Sequence, residues 1–213
     1  MKRSKLFVLA LCAGLLAVGS IFGTVAYLQD TAKVVNTFTV GNVHLKLDEA
    51  LVNEKGEPQG DERTETGNAY HLIPGETYTK DPTVTVLKGS EKSYVRMMLT
   101  FNCASELDAI FAPNGAVLTD VFKGYDATKW KYVDVTRGND NTITYEFRYF
   151  EAVEAEDNAD LVLDALFDTV TVPANITGAQ LATIAGLEIT IEAHAIQATG
   201  FANADKAWEA FSK

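Results

Sequence analysis

The stretch Trp130-Lys131-Tyr132-Val133-Asp134-Val135-Thr136-Arg137-Gly138-Asn139-Asp140-Asn141-Thr142-Ile143-Thr144-Tyr145-Glu146-Phe147-Arg148-Tyr149 predicts two strands and the turn between them. In its second half Ile143, Tyr145, Phe147 and Tyr149 alternate with Thr144, Glu146 and Arg148, the period of a strand with one face on a core. In its first half Trp130, Tyr132, Val133 and Val135 supply the apolar set, and the Gly/Asn/Asp cluster from Arg137 to Asn141 supplies residues that tolerate positive φ.

The same period recurs on both sides of this hairpin. Upstream, Val95, Met97, Leu99 and Phe101 alternate with Tyr94, Arg96, Met98 and Thr100. The second set is itself partly apolar, which predicts a central strand covered on both faces. Downstream, Leu187, Ile189, Ile191, Ala193 and Ala195 form one face of a long strand, with Glu188, Thr190, Glu192 and His194 on the other. Val43, Leu45 and Leu47 alternate with His44, Lys46 and Asp48, Val84 and Val86 mark another strand, and one more is expected near Phe167 to Val172. Asn53 to Asn68, polar and carrying Gly56, Pro58, Gly60 and Gly67, reads as a long surface loop. Helical spacing is confined to an irregular region over residues 105–125 with Leu107, Ile110 and Phe111, a short piece around Gly178 to Ile184, and Ala204, Ala207, Trp208 and Phe211 near the end. Some eight strands at hairpin spacing, with short helices in the connections, predict a mainly β chain folded as a two-sheet antiparallel sandwich rather than a parallel α/β fold. Composition does not separate a jelly roll from an immunoglobulin-like arrangement, and no internal repeat is visible.

The N-terminus reads as an export signal. Lys2, Arg3 and Lys5 are followed by an apolar run from Leu6, and Thr24 and Ala26 supply the small residues of a cleavage site whose cut falls after Ala26, before Tyr27. Residues 1–26 are then a signal peptide, and the remaining 187 residues are enough for one domain with a substantial core. The whole chain carries 18 basic and 29 acidic side chains, net −11; the leader holds three of the basic and none of the acidic ones, leaving about −14. That charge argues against nucleic acid or an anionic membrane as principal partner and suits solubility, divalent cations or a cationic partner. After Ala26 no run of about 18 apolar residues occurs, so no membrane span is expected once the leader is removed. Cys12 lies in the leader, preceded by Leu11 where a lipoprotein signal needs a small residue, and Cys103 is left without a disulfide partner. The ending Trp208-Glu209-Ala210-Phe211-Ser212-Lys213 carries no sorting pentapeptide or basic tail, so attachment to a wall by sortase is not expected.

Ala26-Tyr27-Leu28-Gln29-Asp30 at the cut, followed by Asn36-Thr37-Phe38-Thr39-Val40-Gly41-Asn42-Val43, resembles the start of the TasA/CalY (camelysin-like) family of Gram-positive biofilm-matrix proteins, whose leader is removed by a dedicated ER-type signal peptidase. Leu72-Ile73-Pro74-Gly75-Glu76 with Lys80-Asp81, Ser93-Tyr94-Val95-Arg96 and Ala193-His194-Ala195-Ile196-Gln197-Ala198 extend the resemblance, while residues 102 to 165 match nothing in it. The resemblance implies a jelly roll over residues 39–213, and a secreted structural subunit that assembles head to tail into extracellular fibres by donor-strand exchange. Residues 27–38 would be the donor segment, with Tyr27, Leu28, Val34, Val35 and Phe38 as its apolar anchors. Its partners would be further copies of itself, the signal peptidase during export and other matrix proteins, in the extracellular matrix or at the cell surface. Two alternatives stay open: a monomeric exported adhesin or fibre accessory, and a camelysin-like secreted metallopeptidase.

Catalytic constellations are not apparent in the sequence. His44, His71 and His194 are the only histidines; no His-Glu-x-x-His occurs, and no two of them sit three to five residues apart, so no metal or other cofactor is expected. Their strand and loop positions predict solvent-facing placements for His44 and His194 and a loop edge for His71. No Gly-x-Ser-x-Gly elbow occurs, and Ser90, Ser93, Ser105 and Ser212 have no histidine beside them. Cys103 reads as a buried structural thiol. The carboxylates Glu154, Glu156 and Asp157, and the pair Asp134 and Asp140, read as solvated charges, and the sequon Asn175-Ile176-Thr177 as a chance match. Arg96, a cation inside an apolar strand, is expected to be paired with a carboxylate. The chain is read as not an enzyme.

Overall fold

The structure is a computed structural model that describes residues 42–111 and 121–211. Among them it contains eleven strands: β1 (Leu45–Val52), β2 (Pro58–Thr64), β3 (Thr77–Thr79), β4 (Thr83–Val86), β5 (Ser93–Phe101), β6 (Phe122–Lys123), β7 (Trp130–Arg137), β8 (Ile143–Tyr149), β9 (Leu161–Val162), β10 (Thr169–Thr171) and β11 (Ile189–Gln197). Three short helices join them: α1 (Ala104–Phe111), α2 (Gly178–Thr183) and α3 (Ala204–Phe211). The strands form three antiparallel sheets, in the orders β2-β1-β4-β9, β3-β10-β6 and β11-β5-β8-β7.

The alternation of β5 maps directly onto its burial. Ser93, Val95, Met97, Leu99 and Phe101 are buried, and the residues between them are half-buried. Opposite them, Ile189 pairs with Phe101, Ile191 with Leu99, Ala193 with Met97 and Ala195 with Val95, so one face of β11 meets the same core. Val84 and Val86 of β4, Phe122 of β6 and Phe147 of β8 join that core, which thus draws on all three sheets. The hairpin β7–β8 forms, with its turn closed through Asn141 at φ 64. Its register slips between Tyr132 and Asp134, which makes Val133 a bulge residue and accounts for two adjacent apolar side chains in β7. Trp130 anchors the hairpin root: it is fully buried, its ring lies 5.0 Å from that of Tyr149, and its indole N–H donates to the Asp164 carbonyl at 2.8 Å.

The other face of β5 is covered as well, by α3. The Arg96 guanidinium lies 4.5 Å from the Trp208 ring and 4.9 Å from that of Phe211, and its Nη1 is 3.6 Å from Glu146 Oε1. Arg148 ties the helix down through Asp205 at 2.7 Å. The carboxylate expected for Arg96 is therefore present, joined by two aromatic faces. His194, expected on the solvent side of β11, is instead half-buried under this helix, its ring 5.2 Å from that of Phe211. Its strand position is outward from the core, but α3 occupies the space there.

A second expectation is overturned in the region of residues 53–68, which is not one long loop. Asn53 to Glu57 make a tight turn, with Gly56 at φ 75, and Pro58–Thr64 returns as β2 along β1. Pro58 to Arg63 are all exposed, so no face of β2 carries the apolar period that would reveal a strand. Charge and backbone pairing hold it: Arg63 donates to Asp48 Oδ1 at 2.6 Å and Asp81 Oδ2 at 2.7 Å. Burial alone would raise the pKa of Asp48, but hydrogen bonds from Lys46 and Arg63 bring it below the usual carboxylate value.

Candidate functional site

Where the β3-β10-β6 sheet approaches the start of β11, the two do not pair, and an apolar cleft of about 510 Å³ opens between them. Leu187 to Thr190 form one wall, with Leu181 and Ile184 beside them; Val170, Val172 and Tyr78 form another; Phe101, Leu107 and Phe122 close the inner end. Local chemistry sets each wall. Thr177 caps α2, accepting the Gln180 backbone N–H while the Gln180 side chain accepts from the Thr177 backbone, which fixes the turn carrying Leu181. Tyr78 lies in β3; its hydroxyl donates to the His71 carbonyl and accepts the Ile73 N–H, both at 2.7 Å, pinning the strand-free segment before β3. Tyr70 stands edge-on to Tyr78 at 5.9 Å and donates its hydroxyl to the Thr79 carbonyl at 3.1 Å. Burial first, and the charge of Glu49 second, push the Tyr70 phenol well up, so it stays a neutral donor.

The β11 wall offers backbone as well as side chains. The Asn102 N–H reaches the Glu188 carbonyl and the Ala198 N–H reaches the Lys92 carbonyl, so even-numbered residues of β11 turn their amides toward β5. The amides and carbonyls of Ile189, Ile191, Ala193 and Ala195 consequently point to the outer edge, where no described strand is hydrogen-bonded to β11. At the cleft's polar rim Lys80 is buried and pairs with Glu49 at 2.6 Å, beside Asn68.

The cleavage-site residues Thr24, Ala26 and Tyr27 and the donor anchors Leu28, Val34, Val35 and Phe38 lie outside the described residues. The three histidines are held in different surroundings: the His44 backbone exchanges hydrogen bonds with the Ser90 hydroxyl, the His71 N–H donates to the Glu54 carbonyl, and His194 accepts at Nδ1 from Arg96 Nε at 3.2 Å. Among the described residues no group of three or more His, Cys, Asp or Glu side chains could hold a metal ion. Cys103 is buried, and burial followed by the charge of Glu106 raises its thiol pKa, which disfavours the nucleophilic thiolate. Asp140 caps its own turn through Thr142, and in the acidic segment Asp160 accepts the Lys88 N–H at 2.8 Å. Among the described residues no helix is long and apolar enough to cross a membrane.

Sequence reasoning did not find the cleft. Periodicity shows which side chains turn inward, whereas a cleft arises where two inward-facing surfaces fail to meet. Nor did it single out Glu49, Asn68 and Lys80 as a group, since only Lys80 lay in a recognised motif. Comparison of the chain with protein families, with curated proteins and with solved structures finds no match.

Proposed function

We propose that the chain is a secreted, non-enzymatic structural subunit that assembles head to tail into extracellular matrix fibres, each subunit's Tyr27–Phe38 segment docking as a strand on the next. The observation that carries this is the apolar cleft along the outward-facing amides at the start of β11. An added strand there would satisfy edge hydrogen bonds and lay alternate apolar side chains into the cleft. Tyr27, Leu28, Val34, Val35 and Phe38 supply such side chains. On this reading the sheets close as a two-sheet jelly roll lacking one strand. Contact between a tail and a cleft is heterologous, and it propagates a filament whenever the rotation per subunit does not close a ring.

Sedimentation and electron microscopy of protein beginning at Tyr27, compared with protein beginning at Thr39, test the proposal. Fibres are expected from the first and folded monomers from the second. Equal fibre yield from both would refute donor-strand assembly, and monomers from both would favour an exported binding module.

A further inference from the structure

Glu49 on β1, Asn68 in the segment after β2 and Lys80 just past β3 converge on one carboxylate. Lys80 Nζ donates to Glu49 Oε2 at 2.6 Å, and Asn68 Nδ2 donates to Glu49 Oε1 at 2.9 Å. The Asn68 amide is held on its remaining sides too: Nδ2 also donates to the Ala50 carbonyl, and Oδ1 accepts the Val52 backbone N–H, each at 2.9 Å. Glu49 is 5% exposed and Lys80 7%, and the ammonium sits 5.7 Å from the centre of the Tyr70 ring. The nearby carboxylates Asp48 and Asp81 are both bound by Arg63, so Glu49 serves Lys80 and Asn68.

We propose that Glu49, Asn68 and Lys80 form a self-catalysed cross-link, an amide between Lys80 Nζ and Asn68 Cγ, with Glu49 carrying the protons. The first step passes a proton from the Lys80 ammonium to Glu49 along their 2.6 Å hydrogen bond, leaving a neutral amine. The amine's lone pair attacks Asn68 Cγ to form the new C–N bond. The Val52 N–H, already on Asn68 Oδ1, stabilises the negative charge that develops there. Glu49 then relays the proton lost by the attacking nitrogen to Asn68 Nδ2, the Cγ–Nδ2 bond breaks, and ammonia leaves. Three nitrogen-bound protons depart in the ammonia, one stays on the new amide and one on Glu49, so charge and atoms balance without an oxidant or cofactor. Holding amine and amide on one carboxylate replaces a bimolecular encounter by an intramolecular one, which is worth many orders of magnitude in effective concentration. Escape of ammonia into dilute solution makes the step irreversible by mass action. A buried ion pair is by itself weakly stabilising, and Asn68 completes the hydrogen bonding of the second Glu49 oxygen while standing against the same carboxylate as the amine.

The test is peptide mass spectrometry of the full chain, purified folded and digested with trypsin. Residues 64–88 are expected as a single peptide, uncut after Lys80 and lighter than its sequence by one ammonia; chymotryptic cleavage within it should yield a branched pair. Lys80→Arg keeps the charge and the trypsin site, and Glu49→Gln keeps the size; both are expected to return linear peptides of full mass. A wild-type digest dominated by linear peptides ending at Lys80 and starting at Asp81 would overturn the proposal. So would a branched species lighter by one water, which places the bond on a carboxylate, or ammonia loss confined to Asn114-Gly115, which is ordinary imide formation.

Discussion

Ile189→Pro separates the outer edge of β11 from its inner ladder. The Ile189 N–H points away from β5, as the hydrogen bonds at Glu188 and Ala198 establish, so proline there removes no bond from the β11–β5 ladder. Proline also favours an extended residue before it, which suits Glu188, whose N–H is held by Asn102 Oδ1 at 2.9 Å. What the substitution does remove is a donor that a docked strand would use, leaving the incoming carbonyl without a partner in an apolar cleft. That costs about 1–3 kcal/mol per joint. At 1.4 kcal/mol per factor of ten, the critical concentration for fibre growth should rise about 5- to 150-fold. The reference is Ile189→Ala, which removes the same apolar side chain and keeps the donor. Thr190→Pro supplies the contrast, because its N–H faces Thr100 within the ladder; it should lower the thermal midpoint, whereas Ile189→Pro should match Ile189→Ala. Critical concentrations are read by sedimentation across a dilution series. If Ile189→Pro and Ile189→Ala assemble at the same concentration, the docked strand does not use this edge.

Two further outcomes concern α3. Burial, then the charge of Arg96, lowers the pKa of His194 against the smaller opposing pull of Glu192 and Glu146. The folded state therefore binds this proton less readily than the unfolded chain, and the stability involved is present above about pH 6.5 and lost as pH falls through the depressed folded value. His194→Gln should flatten the change in urea midpoint over that window; an unchanged profile would mean that His194 titrates normally. Trp208→Ala, at a residue 2% exposed that covers Arg96, should cost about 3–5 kcal/mol in urea unfolding and speed amide exchange in α3 and β11; a cost below about 1 kcal/mol would show that α3 is not part of the cooperative fold.

The parts of the fold visible in the sequence are those where one physical cause dominates. β5, β8 and β11 each place one face on the core, and their alternation records it. β2 is a strand because Arg63 and the β1 backbone hold it, and neither leaves a period in an exposed polar segment. β3 and β9 have three and two residues, too few for any period to show. The spacing of Ala207, Trp208 and Phe211 announces a helix but not its seat, and that seat decides whether His194 meets solvent or an aromatic ring. The expected pairing of Arg96 followed from the expense of burying a cation, an argument from energy that requires no knowledge of the partner. The donor segment, on which the functional proposal depends, could be read only as sequence.

The cleft and the Glu49–Asn68–Lys80 cluster adjoin, since Asn68 and Lys80 both line the cleft rim. A receptor for an incoming strand binds more tightly the less it must be ordered on binding. Here the segment from Asn68 to Tyr78 has no strand neighbours until β3, yet it is tied at both ends: Asn68 to Val52, Ala50 and Glu49, and Tyr78 to His71 and Ile73. An amide from Lys80 to Asn68 would close that segment into a ring and make one wall of the cleft permanent. It would do so without cysteine, which suits a chain whose one described thiol, Cys103, is buried away from any disulfide partner. The two proposals nonetheless stand on separate observations. The proposed fibre depends on an unpaired edge and on the Tyr27–Phe38 segment read from sequence, whereas the proposed cross-link depends only on three side chains within one subunit. Linear peptides from a chain that forms fibres would remove the second and leave the first, and a cross-linked monomer would do the reverse.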